Sequence, residues 1–397
     1  MRWLVFNKRF SIPHWDGNDD DEAFYNAFIA SSHKYKEEIR DIYFGAEFIY
    51  LYKGQRKRYG EVMGVTASDK QIDNLFKIQN EFGVECSMTL NSLNIPSELS
   101  SDISIVSSFI KFIRKYYDKG LRSCTISCTH LMRTGKLQQE FPKMRWKNTV
   151  NHQVKTTQEL YDYAALGYNT LIFDRSLNRD ADILKEMYSE AKKLNIEVSL
   201  LASESCLPSC PFKTEHDSWQ EELEKSNNNY WSAFTDTCSH WRKAGILPRS
   251  GTNISMATKE LVDFYMKFTD VLKFSGRLSG NTTNNIKLCW NGSGKLKTSV
   301  LGAYRANNNN FEYADSFDEI YTKELEPYIQ DRWLPTGWAG NDIKKRQHKN
   351  QDLETIWHTK KGVSLSKILS NCKNRCWSCH ACEKVFGVEK FNSVLEL

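Results

Sequence analysis

The chain has no apolar run approaching the ~20 residues that a membrane span needs. Its first ten residues, Met1–Phe10, are too short and too soon charged for a secretory signal. A cytoplasmic protein with no membrane span is expected. There is no His-Glu-x-x-His pair and no Ser-His-Asp order, so metalloprotease and triad chemistry find no support. No internal repeat and no RNA-binding module motif is visible. Charge bias is also slight. A net charge of +5 over 397 residues tolerates a polyanion without announcing one.

What is present is a globular composition, 40% apolar and 26% charged, long enough for one large domain or two. Eleven cysteines are many for a chain of this kind. A reducing compartment argues against a disulfide framework, and an odd count leaves at least one thiol unpaired. Metal ligation is the economical reading of the clustered ones.

Short β-type runs alternate with helical segments. The expected strands are 10–14, 40–44, 84–90, 123–129, 145–150, 170–173, 197–202 and 271–274. Helices are expected at 21–35, 69–82, 103–117, 157–166, 180–194 and 259–268, and again at 316–328. Asp180 and Asp182 begin the helix at 180–194, and Lys192 and Lys193 end it, as the helix dipole favours. The polar stretch 50–64 reads as a loop. Eight β-runs interleaved with helices predict an α/β fold, a TIM-like (β/α)8 barrel over residues 1–280. Residues 281–397 form a C-terminal extension of different texture.

In such barrels the site lies at the C-terminal ends of the strands. Asn91, Asn151, His152, Asp174, Arg175, Glu204, Cys206, Arg277 and His130 all follow an expected strand. Glu204-Ser-Cys-Leu-Pro-Ser-Cys-Pro-Phe-Lys-Thr-Glu-His216 sets Cys206 and Cys210 on a proline-stiffened turn, and Cys238 lies in the same excursion. Glu204 and His216 are candidates for proton transfer. Asp174-Arg175 reads either as an anion-binding turn or as a salt-bridged rim. Arg277 suits a carboxylate or phosphate, or a structural ion pair. Cys124 and Cys128, four apart on one expected strand, read as buried small residues, and Cys86 and Cys289 as core thiols. In the extension, Cys372-x3-Cys376-x2-Cys379-x2-Cys382 brings four thiols within eleven residues, which suits zinc or an iron–sulfur cluster.

Several pieces together resemble the peptidase U32, or collagenase-like, family over about residues 10–280. They are Asp41-Ile-Tyr-Phe-Gly45, Met88-Thr-Leu-Asn-Ser92, Phe173-Asp-Arg-Ser-Leu-Asn-Arg179, the cysteine loop 204–216 with Cys238, and Leu272-Lys-Phe-Ser-Gly-Arg277. The C-terminal cysteines look like a tail of a divergent branch. The resemblance implies a barrel with a [4Fe–4S] cluster, here on Cys206, Cys210 and Cys238, with Cys289 or a C-terminal thiol as the fourth ligand. A second cluster in the tail is the variant, and zinc there the alternative. It also implies oxygen-independent hydroxylation of an aromatic ring or a nucleobase of RNA, with prephenate as an oxygen donor whose carboxylates Arg175 and Arg277 would hold. A hydrolase of the U32 type is one alternative. The other is a non-catalytic zinc protein that binds nucleic acid or a protein partner through the Lys- and Arg-rich surroundings of the tail.

Overall fold

The computed structural model describes residues 10–14, 21–29, 36–37, 39–62, 66–201, 213–215, 264–273, 304–307, 310–313, 372 and 375–381. Its strands are β1 (Phe10–Pro13), β2 (Ile39–Gly45), β3 (Glu47–Tyr52), β4 (Gln55–Gly60), β5 (Glu85–Leu90), β6 (Ser123–Ile126), β7 (Arg145–Lys147), β8 (Thr170–Ile172), β9 (Glu197–Leu201) and β10 (Val271–Lys273). All but β3 and β4 close into a barrel in the order β1-β2-β5-β6-β7-β8-β9-β10. Every neighbouring pair in it is parallel. With helices between successive strands, this is the (β/α)8 barrel expected from the sequence.

The helices are α1 (Ala23–Ile29), α2 (Asp69–Phe82), α3 (Glu98–Ser101), α4 (Ile103–Asp118), α5 (Thr129–Arg133), α6 (Lys136–Glu140), α7 (Thr157–Ala165) and α8 (Ala181–Lys193). The long ones start where side chains can satisfy their first N–H groups. Ser68 and Gln71 form a capping box on α2, Thr156 and Glu159 another on α7, and Asp102 and Asp180 cap α4 and α8. Gly83 ends α2 at φ +63°, a left-handed conformation that glycine adopts without strain.

The strands alternate, and the alternation decides where the core sits. In Glu85-Cys-Ser-Met-Thr-Leu90 the apolar set is Cys86, Met88 and Leu90, and the Cys86 thiol donates to the Leu75 carbonyl of α2 at 3.1 Å. That set therefore faces the helices. Ile42, Phe44, Cys124, Ile126, Trp146, Leu171, Phe173, Val198, Leu200 and Leu272 take the same outward parity, and all belong to one buried cluster with the helices. Each large side chain so buried contributes ~1.5–3 kcal/mol. The hydrophobic core is thus a sleeve between sheet and helices.

Three sequence expectations are corrected. The stretch 50–64 is not simply a loop: β3 and β4 form an antiparallel hairpin, turning on Lys53 and Gly54, both at positive φ. Its tip strand, Gln55-Arg-Lys-Arg, is polar enough to hide the pattern. The hairpin presses onto the barrel through Tyr59, whose hydroxyl donates to the Leu90 carbonyl and accepts from the Ser127 and Cys128 N–H groups. That contact turns the chain after Ile126, so β6 is shorter than 123–129 and Cys128 lies beyond it, as the cap of α5. β7 stops at Lys147 instead of 150 because Asn148 takes over the pairing with its side chain. Its amide accepts from the Ile172 N–H at 2.6 Å and donates to the Ile172 carbonyl at 3.1 Å.

The boundary placed at 280 and the helix expected at 316–328 lie outside the described residues. In the extension, Tyr304–Asn307 and Asn310–Tyr313 pair as an antiparallel hairpin, and Cys376–Cys379 makes one helical turn. No helix among the described residues is long and apolar enough to cross a membrane.

The β7–β8 seam has a single register pair, Lys147 with Thr170, so Asn148 carries much of it. Asn148→Ala leaves a buried N–H and carbonyl of Ile172 unpaired, and is expected to cost ~1–3 kcal/mol per lost group. Urea unfolding of parent and variant measures it.

Candidate active site at the barrel mouth

With the apolar set facing outward, the lumen receives the polar set. Alternate strands of a (β/α)8 barrel contribute to each interior layer, and the register here stacks five of them. The floor holds Glu85, Arg145 and Glu197. Above it come Asp41, Ser123, Thr170 and Val271, then Ser11, Ser87, Lys147 and Ser199. Tyr43, Thr125, Ile172 and Lys273 follow. Pro13, Thr89, Thr149 and Leu201 lie nearest the C-terminal mouth. Branched apolar residues usually dominate such interiors. Charges, serines and threonines dominate this one.

Arg40 joins the floor against the parity of its strand. Phe10 pairs with Ile39 and Ser11 with Asp41, so Arg40 is the extra residue of a β-bulge. A bulge re-aims a side chain, and Arg40 bonds Glu85 and Glu197, the latter at 3.0 Å. Arg145 reaches Asp41 at 3.1 Å, Glu85 at 2.6 Å, and Glu197. Lys147 bonds Asp41, which also accepts from the Ser11 hydroxyl at 2.5 Å. Three cations face three carboxylates. Burial pushes the Asp41 carboxyl up, but Lys147 and Arg145 outweigh it and hold the group well below the usual carboxylate range. Glu197 is likewise lowered, by Arg145 and Arg40 against burial. Lys147 is lowered by burial, which Asp41 opposes.

The rim above is built from strand ends. Asp174 caps the turn after β8, its carboxylate accepting from the Ser176 N–H at 2.8 Å. Arg175 donates to the Asn151 side chain at 3.0 Å, joining the rims of β7 and β8. Both are buried, each 4% exposed. Asn178 donates to the Leu201 carbonyl at 2.9 Å and so pins the last residue of β9, three residues before Glu204. His152 Nε2 lies 2.9 Å from the Ser127 carbonyl. A carbonyl only accepts, so the ring carries its proton on Nε2 and Nδ1 is an acceptor. That Nδ1 is buried without a partner among the described residues. Burial lowers the His152 pKa to about 4.

Of the expected site residues, Asp174, Arg175, Asn151 and His152 stand on this rim. Asn91, after β5, accepts from the Val62 N–H at 3.0 Å, and His130 is exposed on α5. Glu204, Cys206, Cys210, His216, Cys238, Arg277, Cys289 and Cys382 lie outside the described residues. Cys372 is half-buried, Cys379 exposed, and Cys376 starts the helical turn that Cys379 ends. Cys86, Cys124 and Cys128 are buried, as expected for small core residues, with burial raising all three thiols. Sequence reasoning missed Arg40, Asp41, Glu85, Arg145, Lys147 and Glu197. The signal was there: strands buried on both faces read as continuous apolar runs, whereas Glu85–Leu90 and Arg145–Lys147 alternate.

No protein-family model and no curated protein matches the sequence. Among solved structures the chain is similar to the U32 peptidase Mk0906, at 12% identity and TM-score 0.41, over 68% of this chain and 93% of that one. It is similar too to the carboxyl transferase domain of Rhizobium etli pyruvate carboxylase with pyruvate, at 10% identity and TM-score 0.33, over 69% and 41%. These likenesses concern the barrel architecture, which the strand register establishes by itself.

Two outcomes are expected. Arg145→Met leaves Asp41 with Lys147 and leaves Glu85 and Glu197 to share Arg40, three carboxylates against two cations, and should cost ~3–5 kcal/mol in urea unfolding. For His152, the folded pKa is depressed, so the unfolded chain takes up the proton first as pH falls. Stability is full above the unfolded value of ~6.5 and is lost on the way down to about 4. That loss is ~2–3 kcal/mol from this group. His152→Gln should remove that part of the difference between urea unfolding at neutral and acid pH.

Proposed function

We propose that the chain is an iron–sulfur enzyme of the peptidase U32 type that works at the C-terminal mouth of its barrel. Its reaction is the oxygen-independent hydroxylation, or a related modification, of an aromatic ring or nucleobase. The observation that carries this is where the cysteine loop departs. Asn178 holds the end of β9 at the rim that also carries Asp174, Arg175 and Asn151. In the sequence, residues 204–210 begin three positions after Leu201, and in barrels of this kind sites are built after strand ends.

The described cysteines bear on the ligand set by elimination. Cys86 faces α2 through its bond to Leu75, Cys124 shares the outward parity, and Cys128 is buried behind the rim. None of these thiols suits a cluster at the mouth. Cys206, Cys210 and Cys238 would hold it, with Cys289 or a thiol of the tail as the fourth ligand. Held by the three thiolates alone, such a cluster would keep one iron open and could polarise an oxygen donor; a fourth thiolate would close it. The chain's own groups would do the rest: Glu204 and His216 carry protons, and Arg175 and Arg277 hold carboxylates of a prephenate-like donor. Cys372, Cys376, Cys379 and Cys382 would bind a second cluster or zinc.

Anaerobic purification with iron, sulfide and absorbance analysis tests this. Coloured protein is expected, with Cys206→Ser removing about four irons per chain. Colourless protein without iron after reconstitution, or zinc alone, overturns it.

A further inference from the structure

The layer that contains Lys147 is otherwise made of Ser11, Ser87 and Ser199. An eight-stranded interior is just wide enough for side chains to fill it. Three serines take up less of this layer than branched residues would, and the Lys147 ammonium reaches Asp41 of the layer below. Ser11 spends its proton on Asp41, and Ser87 is bonded to Ser123 at 3.0 Å. Ser199 Oγ has no partner among the described residues. Nor have Thr125 Oγ1 and Thr89 Oγ1, one and two layers nearer the mouth. These three residues are 4%, 2% and 1% exposed, so bulk water does not serve them. Their parity aims them inward, because Ser87, Ser123 and Glu197 on the same strand faces meet partners across or along the lumen. A buried hydroxyl without a partner costs ~1–3 kcal/mol, and three of them in one column need a common reason.

The column is rich in donors. An ammonium has three N–H bonds, and Lys147 is bonded to a single acceptor among the described residues, Asp41. Every carboxylate of the lumen is already met by Arg40, Arg145 or Lys147. The hydroxyls can donate as well as accept, so an anionic oxygen entering from the C-terminal end could meet them and the ammonium together.

We propose that the upper lumen is a pocket for the carboxylate of a small organic acid, received by the Lys147 ammonium and the hydroxyls of Ser199, Thr125 and Thr89. The pocket deepens the reading of the barrel mouth as the site, and is independent of any cluster. It lies below the rim, separate from Arg175, and would orient a substrate along the barrel axis with its acid end down.

Calorimetric titration of the full chain tests it, with acetate, malonate and benzoate as probes. Acetamide, malonamide and benzamide serve as neutral matches, and inorganic phosphate as a separate anion. The expected result is binding of at least one carboxylate and of no amide. Ser199→Ala and Thr125→Val, which stay close in shape, should each weaken that binding about tenfold or more at unchanged thermal unfolding. Thr89→Val stands in should either fail to fold. No carboxylate binding, equal binding of the matching amide, binding of phosphate alone, or parent-like affinity in the variants overturns the proposal. So does a crystal structure of the parent with the bound probe outside the lumen. Running the titration on iron-loaded and iron-free protein separates the two readings: binding without iron keeps the pocket whatever the iron analysis says of the cluster, and iron without carboxylate binding keeps the cluster and sinks the pocket.

Discussion

The Arg145 guanidinium is the interaction on which the barrel turns. It stands on the floor of the lumen and meets Asp41 of β2, Glu85 of β5 and Glu197 of β9. Strands far apart in sequence are thereby held about one planar group. Five fixed donors make guanidinium suited to such a role, where lysine would present a point charge. Buried ion pairs repay desolvation only when every member is met. Here the bulge at Arg40 supplies the cation that lets both Glu85 and Glu197 find a second partner. The network therefore contributes less to net stability than to closing these strands in one register.

That arrangement displaces the hydrophobic effect to the outside of the sheet. Cys86, Met88, Leu90, Trp146, Val198 and Leu200 bury against helices, and the lumen stays polar. Strands only three residues long, such as β7 and β8, then need help from side chains. Asn148 gives it by acting as a piece of backbone between them. Tyr59 does the same between β5 and β6. A barrel with so charged an interior is held by specific polar contacts at each seam, and each is a place where one substitution opens the wall.

Much of this was legible in the chain. The eight strands could be placed because short β-type runs such as Val84–Leu90 and Glu197–Leu201 are bounded by helices with clear stops, Gly83 and Lys192-Lys193 among them. The hairpin at 47–60 was not legible, because its exposed Leu51 and its basic second strand break the expected pattern. The early ends of β6 and β7 depend on Tyr59 and Asn148, contacts between segments that no local window contains. Asp174, Arg175, Asn151 and His152 could be placed on the rim because strand ends alone decide it. The luminal charges were overlooked for a different reason. Glu85, Arg145 and Lys147 look like surface residues until barrel closure turns their face inward.

The two halves of the lumen now read as a sequence of tasks. Among the described residues of the lower half each charged side chain has an opposite partner, although the Arg145 Nε itself makes no hydrogen bond. In the upper half Ser199, Thr125 and Thr89 carry hydroxyls without partners among the described residues. A fold that satisfies Asp41 with a lysine, an arginine and a serine does not leave polar atoms unmet for want of means. On the proposal made above a ligand completes these three, and the cost of leaving them unmet is what would make the site discriminate. The run of unmet hydroxyls thus points along the barrel axis toward the mouth, where Asn178 holds Leu201, the last residue of β9. Scaffold and site divide at Lys147, which belongs to both.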